Sequence, residues 1–64
     1  MKIKYDKESD ILYIRLSENT IMESDEDNPG IILDFDADHQ VVAIEVLQAS
    51  KRLPNPEFVE YEMV

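Results

Sequence analysis

Polar and apolar side chains alternate along most of this chain with a period of two residues. Residues 2–6 alternate without exception, and residues 10–16, 30–36 and 41–47 largely keep the same period. Successive side chains of an extended strand point to opposite faces of a sheet, so this period is typical of half-buried β-strands. The alternation therefore predicts a domain built mostly from antiparallel hairpins.

The alternation also divides the predicted sheet into an inner, apolar face and an outer, wetter face. If residue 6 faces residue 11 and residue 36 faces residue 41, the inner side chains of each hairpin lie opposite one another. A slip of one residue would carry Asp34 and Glu45 into the core, so the register is strongly specified. The residues predicted on the inner face are Ile3, Tyr5, Leu12, Ile14, Leu16, Ile31, Leu33, Phe35, Val42, Ile44 and Val46.

The segments between these strands break the alternation. Residues 20–23 are a weak strand candidate. Residues 24–30 predict a solvated loop, because acids crowd this segment ahead of Asn28-Pro29-Gly30. Gly30 is expected to take a positive φ there. Residues 48–53 contain good helix formers ahead of Pro54, which predicts a short helix.

The last residues, 54–64, form a tail with two open interpretations. Val59, Tyr61 and Met63 alternate, which favours a strand paired across a dimer, whereas Asn55 followed by Pro56 favours the start of a helix. We prefer the strand, with a flexible tail as the other outcome. The whole prediction is a single domain over residues 1–64, of the mostly β (α+β) class. Residues 1–53 are expected to form an antiparallel β-meander of five to six short strands with one short helix near residues 48–53.

The composition excludes several classes of protein. The 64 residues carry 15 Asp and Glu against six Lys and Arg, a formal net charge of -9, and include no Cys. Disulfides and thiolate zinc sites are therefore impossible, and the negative charge disfavours binding to nucleic acid. No apolar run is long enough to span a membrane, and the first residues do not form a signal peptide, so we expect a cytoplasmic protein. So small a core is commonly extended by self-association, which predicts a homodimer.

Two stretches of the chain resemble a known family. Residues 10–16 (Asp-Ile-Leu-Tyr-Ile-Arg-Leu) and residues 42–53, which contain Ala49-Ser50-Lys51-Arg52-Leu53, are the more specific of the matching elements. With residues 4–6 and 30–36 they resemble the bacterial and archaeal domain of unknown function family 2283, over about residues 1–53. His39 stands where a Gly is common, and the tail lies outside the resemblance.

The resemblance implies a small β-meander followed by a short helix, and it brings no assigned activity or catalytic residues. The resemblance also implies a genomic setting, because members of the family are often encoded beside small basic toxin-like proteins. The resemblance therefore implies an antitoxin-like role in which this acidic chain would bind a basic protein.

One acidic constellation resembles a metal-binding motif. Asp34, Asp36, Asp38 and Glu45 occupy positions 1, 3, 5 and 12 of the calcium-loop pattern. That loop needs Gly at position 6, where this chain has His39, and it needs flanking helices rather than strands. We therefore predict no metal and no cofactor, and interpret these residues as an Asp-rich turn.

Catalytic groups are few. The only His, His39, lies at a predicted turn without convergent partners. The serines are typical of turns and caps, and no nucleophile elbow is present. Catalytic residues are therefore not predicted, and an enzymatic function is the least favoured.

Two sets of residues on the outer face define candidate surfaces. Lys2, Lys4 and Arg15 lie on the first hairpin, and Asp34, Asp36 and Glu45 lie on the second, so the charges either pair across strands or form a polarised face. Five apolar residues are too many for a fully wet face, and we expect a helix, a subunit or a partner to cover them. This predicted interaction surface comprises Ile11, Tyr13, Ile32, Val41 and Ala43.

Three functional hypotheses follow from these features. The leading one is a protein-binding module whose acidic surface engages a basic partner, because complementary charge speeds association. The alternatives are a self-associating structural protein and a metal-dependent hydrolase that uses the carboxylates.

Overall fold

A computed structural model describes residues 1–64 as one five-stranded antiparallel sheet and one short helix. This confirms the predicted fold class, which is mostly β, and the helix lies within the predicted residues 48–53. The helix is far too short to cross a lipid bilayer. The elements are β1 (Lys2–Asp6), β2 (Ile11–Arg15), β3 (Glu23–Asn28), β4 (Ile31–Phe35), β5 (Val41–Leu47) and α1 (Ala49–Arg52).

The strands lie in the order β1-β2-β5-β4-β3. This order differs from a simple up-and-down meander at one place, because β2 pairs with β5 and not with β3. The connection from β2 to β3 must therefore pass the ends of β5 and β4. Two backbone bonds hold it there: the Leu16 N–H donates to the Val42 carbonyl (2.7 Å), and the Met22 N–H donates to the Phe35 carbonyl (2.7 Å).

Both hairpins have the predicted register over most of their length. Ile3 lies opposite Ile14 and Tyr5 opposite Leu12 in the first hairpin. In the second hairpin Ile31 lies opposite Val46 and Leu33 opposite Ile44. Matching the inner faces of adjacent strands was therefore a sufficient guide to strand pairing.

The predicted pairing of Phe35 with Val42 is wrong. A β-bulge at Asp34 and Phe35 places Phe35 opposite Val41. A bulge sets two residues of one strand against one of the other, so it changes which face the following side chains occupy. Val41 consequently shares the inner face with Phe35, although it was predicted on the outer face.

The prediction of a loop over residues 24–30 is also wrong, because β3 occupies most of that segment. All six residues of β3 are exposed. Its backbone is paired with β4 on one side only, and its side chains remain in water on both faces. An edge strand in this position needs no apolar residues, since pairing through the backbone does not depend on the side chains. Gly30 takes the expected positive φ, 86°, in the turn that joins β3 to β4.

The core is small. Seven of the 64 residues are buried, and Val42, Ala43 and Ala49 are the fully buried apolar ones. Two others are Asp34 and Asp36, which the alternation places on the solvated outer side. Buried carboxylates need hydrogen-bond partners, so these two residues are structural features as well as charges.

Asp10 fastens α1 to the first hairpin. Its backbone carbonyl accepts the Ala49 N–H (2.9 Å). Its carboxylate accepts the Ser50 N–H (2.9 Å), the Ser50 hydroxyl (2.6 Å) and the Tyr5 hydroxyl (2.6 Å). The Ser50 hydroxyl and then the Tyr5 hydroxyl hold the pKa of Asp10 below its usual value, and the bond to Asp10 raises the pKa of Tyr5 to about 12. A helix of four residues has little stability of its own, so this clamp and the burial of Ala49 hold it in place.

The tail forms neither a strand nor a helix within the single chain. Residues 56–57 form a turn, closed by the Phe58 N–H on the Asn55 carbonyl, and the Glu57 carboxylate lies 2.9 Å from the Lys7 ammonium. Beyond that point the apolar side chains are exposed, including Phe58 and Tyr61. The strand preferred from the sequence is therefore absent here, and its pairing across a dimer stays a prediction.

Replacing Gly30 with Ala should destabilise the fold by about 1–3 kcal/mol, the usual cost of holding a residue with a side chain at positive φ. The new methyl group would also meet the guanidinium of Arg52, which donates to the Pro29 carbonyl. Urea denaturation would measure the loss. Asn28→Ala, in the same hairpin but without positive φ, is the control and should cost much less. Equal losses in both variants would contradict the assignment of strain to Gly30.

Candidate functional site

The outer face carries a polar row that crosses four strands. The strand register places Ser24 opposite Asp34, Asp34 opposite Ala43, and Ala43 opposite Arg15. The Ser24 hydroxyl donates to Asp34 Oδ1 at 2.5 Å. The other carboxylate oxygen, Oδ2, is buried and has no hydrogen-bond partner. Asp34 is only 2% exposed, so this row contains a buried acid that is half satisfied.

Glu45 lies beside Asp34 on the same face. It is diagonal to Asp34 across the β4–β5 ladder, opposite Ile32 on one side and Tyr13 on the other. Partial burial, and then the neighbouring Asp34 carboxyl group and its charge, raise the pKa of Glu45 to about 7. A neutral Glu45 lies beside the buried Asp34 at a lower cost than a second negative charge would.

Arg15 covers the other end of this polar row. Its guanidinium donates to the carbonyls of Ser17 (2.7 Å) and Asn19 (2.7 Å) and to the Tyr13 hydroxyl (3.1 Å). These bonds fix the start of the connection that leads to β3. Arg15 forms no ion pair with Asp34. The ion pairs of the chain are Lys7–Glu57 and His39–Glu23.

The two charged sets predicted on the outer face are therefore brought onto adjoining strands. The pairing of β2 with β5 joins the basic first hairpin to the acidic second one. Lys4 extends over the ring of Tyr13, with its ammonium 5.4 Å from the ring centre. The face is polarised from a basic edge at β1 to an acidic edge at β3, and it is not bridged by cross-strand ion pairs.

The four carboxylates of the calcium-loop pattern do not converge. Asp36 Oδ1 accepts the backbone N–H groups of Asp38 and Gln40, both at 2.9 Å, and its Oδ2 accepts the Asn19 side-chain amide at 2.9 Å. These bonds, with the Gln40 N–H first, lower the pKa of Asp36. Asp38 is exposed, and no three His, Asp or Glu side chains are arranged to hold a metal ion. Asp36 thus organises its own turn and anchors the connection between β2 and β3.

His39 has contacts that its position at a turn did not suggest. Its ring stacks on Phe35, with the ring centres 4.4 Å apart and the planes 10° from parallel. Its Nδ1 lies 3.4 Å from the Glu23 carboxylate. His39 takes a φ of 61°, the conformation for which Gly is best suited. The ring therefore covers the end of the inner face and links the turn to β3.

The predicted interaction surface is split between the two faces. Ile11, Tyr13, Ile32 and Ala43 share the outer face, where Ala43 is fully buried and the other three are half-buried. Val41 is moved to the inner face by the bulge. Side chains of the same chain already cover part of the outer face, above all Arg15 next to Ala43.

The surface depressions are shallow and lie away from the carboxyl pair. The largest has a volume of about 720 Å³ and is open to solvent beside the turn between β1 and β2. Asp34 and Glu45 line none of the depressions. A substrate would therefore find no enclosed space beside Glu45, whose pKa is raised, or beside Asp34.

The feature best suited to an external partner is the free edge of β3. Four of its six residues are acidic, all are exposed, and the strand has a neighbour on one side only. The acids are Glu23, Asp25, Glu26 and Asp27.

Two of these features were missed from the sequence, for different reasons. The acids of β3 were visible, but their density hid the strand. The clamp between Asp10 and Ser50 joins residues 40 positions apart, and no local pattern signals such a pair. Both residues do lie in the stretches that carry the family resemblance, which is the one signal that could have identified them.

Comparison with known proteins gives one match. A family described as Protein of unknown function (DUF2283) matches residues 2–50, most of the 64-residue chain. No curated protein shows a significant match, and neither does any solved structure. The matched residues contain all five strands and the first part of α1, including Asp10 and Ser50.

The raised pKa of Glu45 gives a prediction about stability and pH. Its ordinary value is 4.5 and its value in the folded chain is about 7, so the folded state binds more protons than the unfolded state between these limits. The contribution of Glu45 to stability is therefore complete below pH 4.5 and is lost as the pH rises through about 7. Asp10 and Asp36 act in the opposite sense, because their pKa values are lowered. Their contribution to stability is present above pH 3.8 and is lost as the pH falls below it.

Urea unfolding of the wild type and of Glu45→Gln across this range would test it. The wild type should lose stability relative to the variant as the pH rises, since Gln stays neutral. Glu18→Gln removes an exposed acid and should follow the wild type at every pH. Parallel curves for the wild type and Glu45→Gln would contradict a raised pKa of Glu45 in the folded chain.

Proposed function

Since the chain belongs to the protein family of unknown function DUF2283, we propose its role from its surface: it is a protein-binding module whose acidic edge strand β3 engages a basic protein partner. The observation that carries this proposal is that β3 is an ordered, fully exposed edge strand with acids at four of its six positions. The antitoxin-like role implied by the resemblance is the sharpest form of this function, with a basic toxin as the partner.

Charge supports binding at this edge. The net charge of -9 attracts basic proteins over several ångströms and repels nucleic acid. The basic residues Lys2, Lys4 and Arg15 lie at the other side of the sheet, so the field is strongest in the negative sense near β3. A basic partner would therefore be steered to this edge rather than to β1.

The backbone of β3 supports the same mode of binding. The Leu47 N–H donates to the Gly30 carbonyl (2.8 Å), so Gly30 is bonded toward β5. The backbone N–H and C=O groups of successive residues point alternately to the two sides of a strand, so those of Leu33 and Phe35 point toward β3. Their partners on β3 are Asp25 and Glu23. Ser24, which lies between these two, therefore presents its N–H and C=O to the open edge. An extended segment of a basic protein can add to this edge as a further strand, with its cations against the acids of β3.

Binding rather than catalysis accounts best for the acidic residues. The structural carboxylates, Asp10, Asp34 and Asp36, are occupied in holding the fold together. The acids of β3 have no such structural task, apart from the contacts of Glu23 with His39 and of Glu26 with the Gly30 N–H. We place this binding in the cytoplasm, as the sequence predicts.

A charge-neutral variant of β3 should lose the partner. In this variant Glu23 and Glu26 become Gln, and Asp25 and Asp27 become Asn, so shape and hydrogen-bonding capacity are kept while four charges are removed. The tagged wild-type chain, expressed in its native organism, should co-purify with a basic protein that is released at high salt. The β3 variant should retain at most about a tenth of that protein, because contacts between complementary charges dominate the association.

The matched control removes the same number of charges elsewhere. Glu8, Glu18, Glu60 and Glu62 are exposed, and changing all four to Gln also brings the net charge from -9 to -5. This control should keep most of the binding. Equal loss in both variants would show that net charge alone matters and not β3. A partner that is retained in strong salt, or that is itself acidic, would contradict the proposal.

A further inference from the structure

The inner face of the sheet is apolar across four strands and carries no charge there. Its residues from β1, β2, β4 and β5 are aliphatic or aromatic. Charged side chains enter this face only at its rim, where Glu23 and Asp25 of β3 lie opposite Phe35 and Leu33. An uncharged centre with a charged rim is the usual composition of a protein–protein interface.

The large apolar residues that the sheet leaves exposed lie on this face. Ile3 is 41% exposed, Val41 is 37% exposed, and Leu16, directly after β2, is 42% exposed. At the centre of the face Ile44 and Val46 are only half-buried. The outer face differs, because Arg15, Ser24 and Asp34 cover it through hydrogen bonds within the chain. Leu12, Phe35 and Val42 of the inner face are already buried within the single chain, so the uncovered part of this face consists of the exposed and half-buried residues named above.

The accessible surface area of the chain indicates how much surface a partner would cover. The surface measures 5008 Å², whereas a compact chain of 7.5 kDa exposes about 4,200 Å². The chain thus exposes roughly 800 Å² more than a compact chain, and each partner in a protein interface of standard size buries about 800 Å². Part of this excess belongs to the tail, which holds five of the ten large exposed apolar residues. The part that lies at the inner face is found at Ile3, Leu16 and Val41.

The chain has no second layer of its own to place against this sheet. A sheet with one apolar face is stable when that face packs on another layer, and α1 contains only four residues. A second copy supplies a layer of the same size, curvature and polarity. Because the face is uncharged at its centre, two copies can meet there despite the negative charge of each chain, with the acids of β3 left at the rim.

We infer that this protein is a twofold dimer in which the inner faces of two sheets pack together, with β5 at the centre of the interface. Ile44 and Val46 of each copy meet at the middle, and Ile3, Leu16 and Val41 complete the contact around them. The acidic edge of β3 lies at the border of this sandwich and remains free. The inference does not depend on the proposed basic partner, since either interaction can exist without the other.

Variants at residues that are already exposed in the single chain test the dimer without removing its core. Leu16→Lys and Ile3→Lys place a charge in the proposed interface, and each should weaken dimerisation at least about tenfold. Sedimentation equilibrium should give a mass of twice 7.5 kDa for the wild type and a shift toward a single chain for both variants. Circular dichroism would confirm that the variants keep the sheet.

Two controls separate the inner face from other surfaces. Met22→Lys adds the same charge at a residue that is 64% exposed and lies on the connection between β2 and β3, and it should dimerise as the wild type does. Ile32→Lys places the charge on the outer face, at the interaction surface predicted from the sequence, and should also leave the dimer intact. Dissociation by Ile32→Lys but not by Leu16→Lys would overturn the inference in favour of the outer face.

A measurement on the wild type keeps the test independent of variant folding. In a mixture of differently isotope-labelled chains, methyl groups of Leu16 and Ile44 should show nuclear Overhauser contacts between copies. Contacts between copies confined to Ile11 or Ile32 would overturn the inference. So would a wild-type chain that sediments as a monomer from micromolar to millimolar concentration.

Discussion

The pairing of β2 with β5 is the constraint on which the rest of this structure depends. It joins two parts of the chain that are otherwise separate, the first hairpin and the three strands β3, β4 and β5. It forces the connection between β2 and β3 to pass over the ends of two strands, and this passage explains why Arg15 and Asp36 bind backbone and amide groups there. At the opposite end of the same ladder, Asp10 fixes the helix that follows β5. The pairing of apolar faces alone would leave both ends of this ladder unattached.

The sequence predicted the parts of the fold that depend on burying one face. β1, β2, β4 and β5, their hairpin registers and the place of the helix all follow from apolar periodicity, because a wrong register would expose apolar groups and bury acids. β3 was missed for the same reason: as an edge strand with both faces in water it has no buried face to produce a pattern. The bulge at Phe35 was missed because an extra residue in one strand leaves the alternation on each side intact. The candidate site was predicted only in part. Asp34 and Glu45 were named, but their pairing depends on a cross-strand diagonal and on partial burial, which the sequence does not encode locally.

The outer and inner faces differ in how their apolar area is removed from water. On the outer face polar side chains bond within the chain: Ser24 donates to Asp34, and Arg15, which lies opposite Ala43, donates to the following loop. This arrangement leaves one carboxylate oxygen of Asp34 without a partner, and the raised pKa of Glu45 lowers the cost of placing a second acid beside it. On the inner face the His39 ring covers Phe35, and no other polar side chain covers the apolar residues there. Apolar area there can only be removed from water by another apolar surface.

The distribution of charge then determines which surfaces can associate with which partners. An uncovered edge strand is a template for joining identical strands, and four acids on β3 make such self-pairing unfavourable through repulsion between like charges. The same acids do not prevent association through the inner face, because β4 separates them from its centre on β5. The negative charge that disfavours pairing with a second copy at this edge favours pairing with a basic strand. The proposed dimer and the proposed basic partner therefore use separate surfaces, because on the inner side of the sheet charged residues occur only on β3.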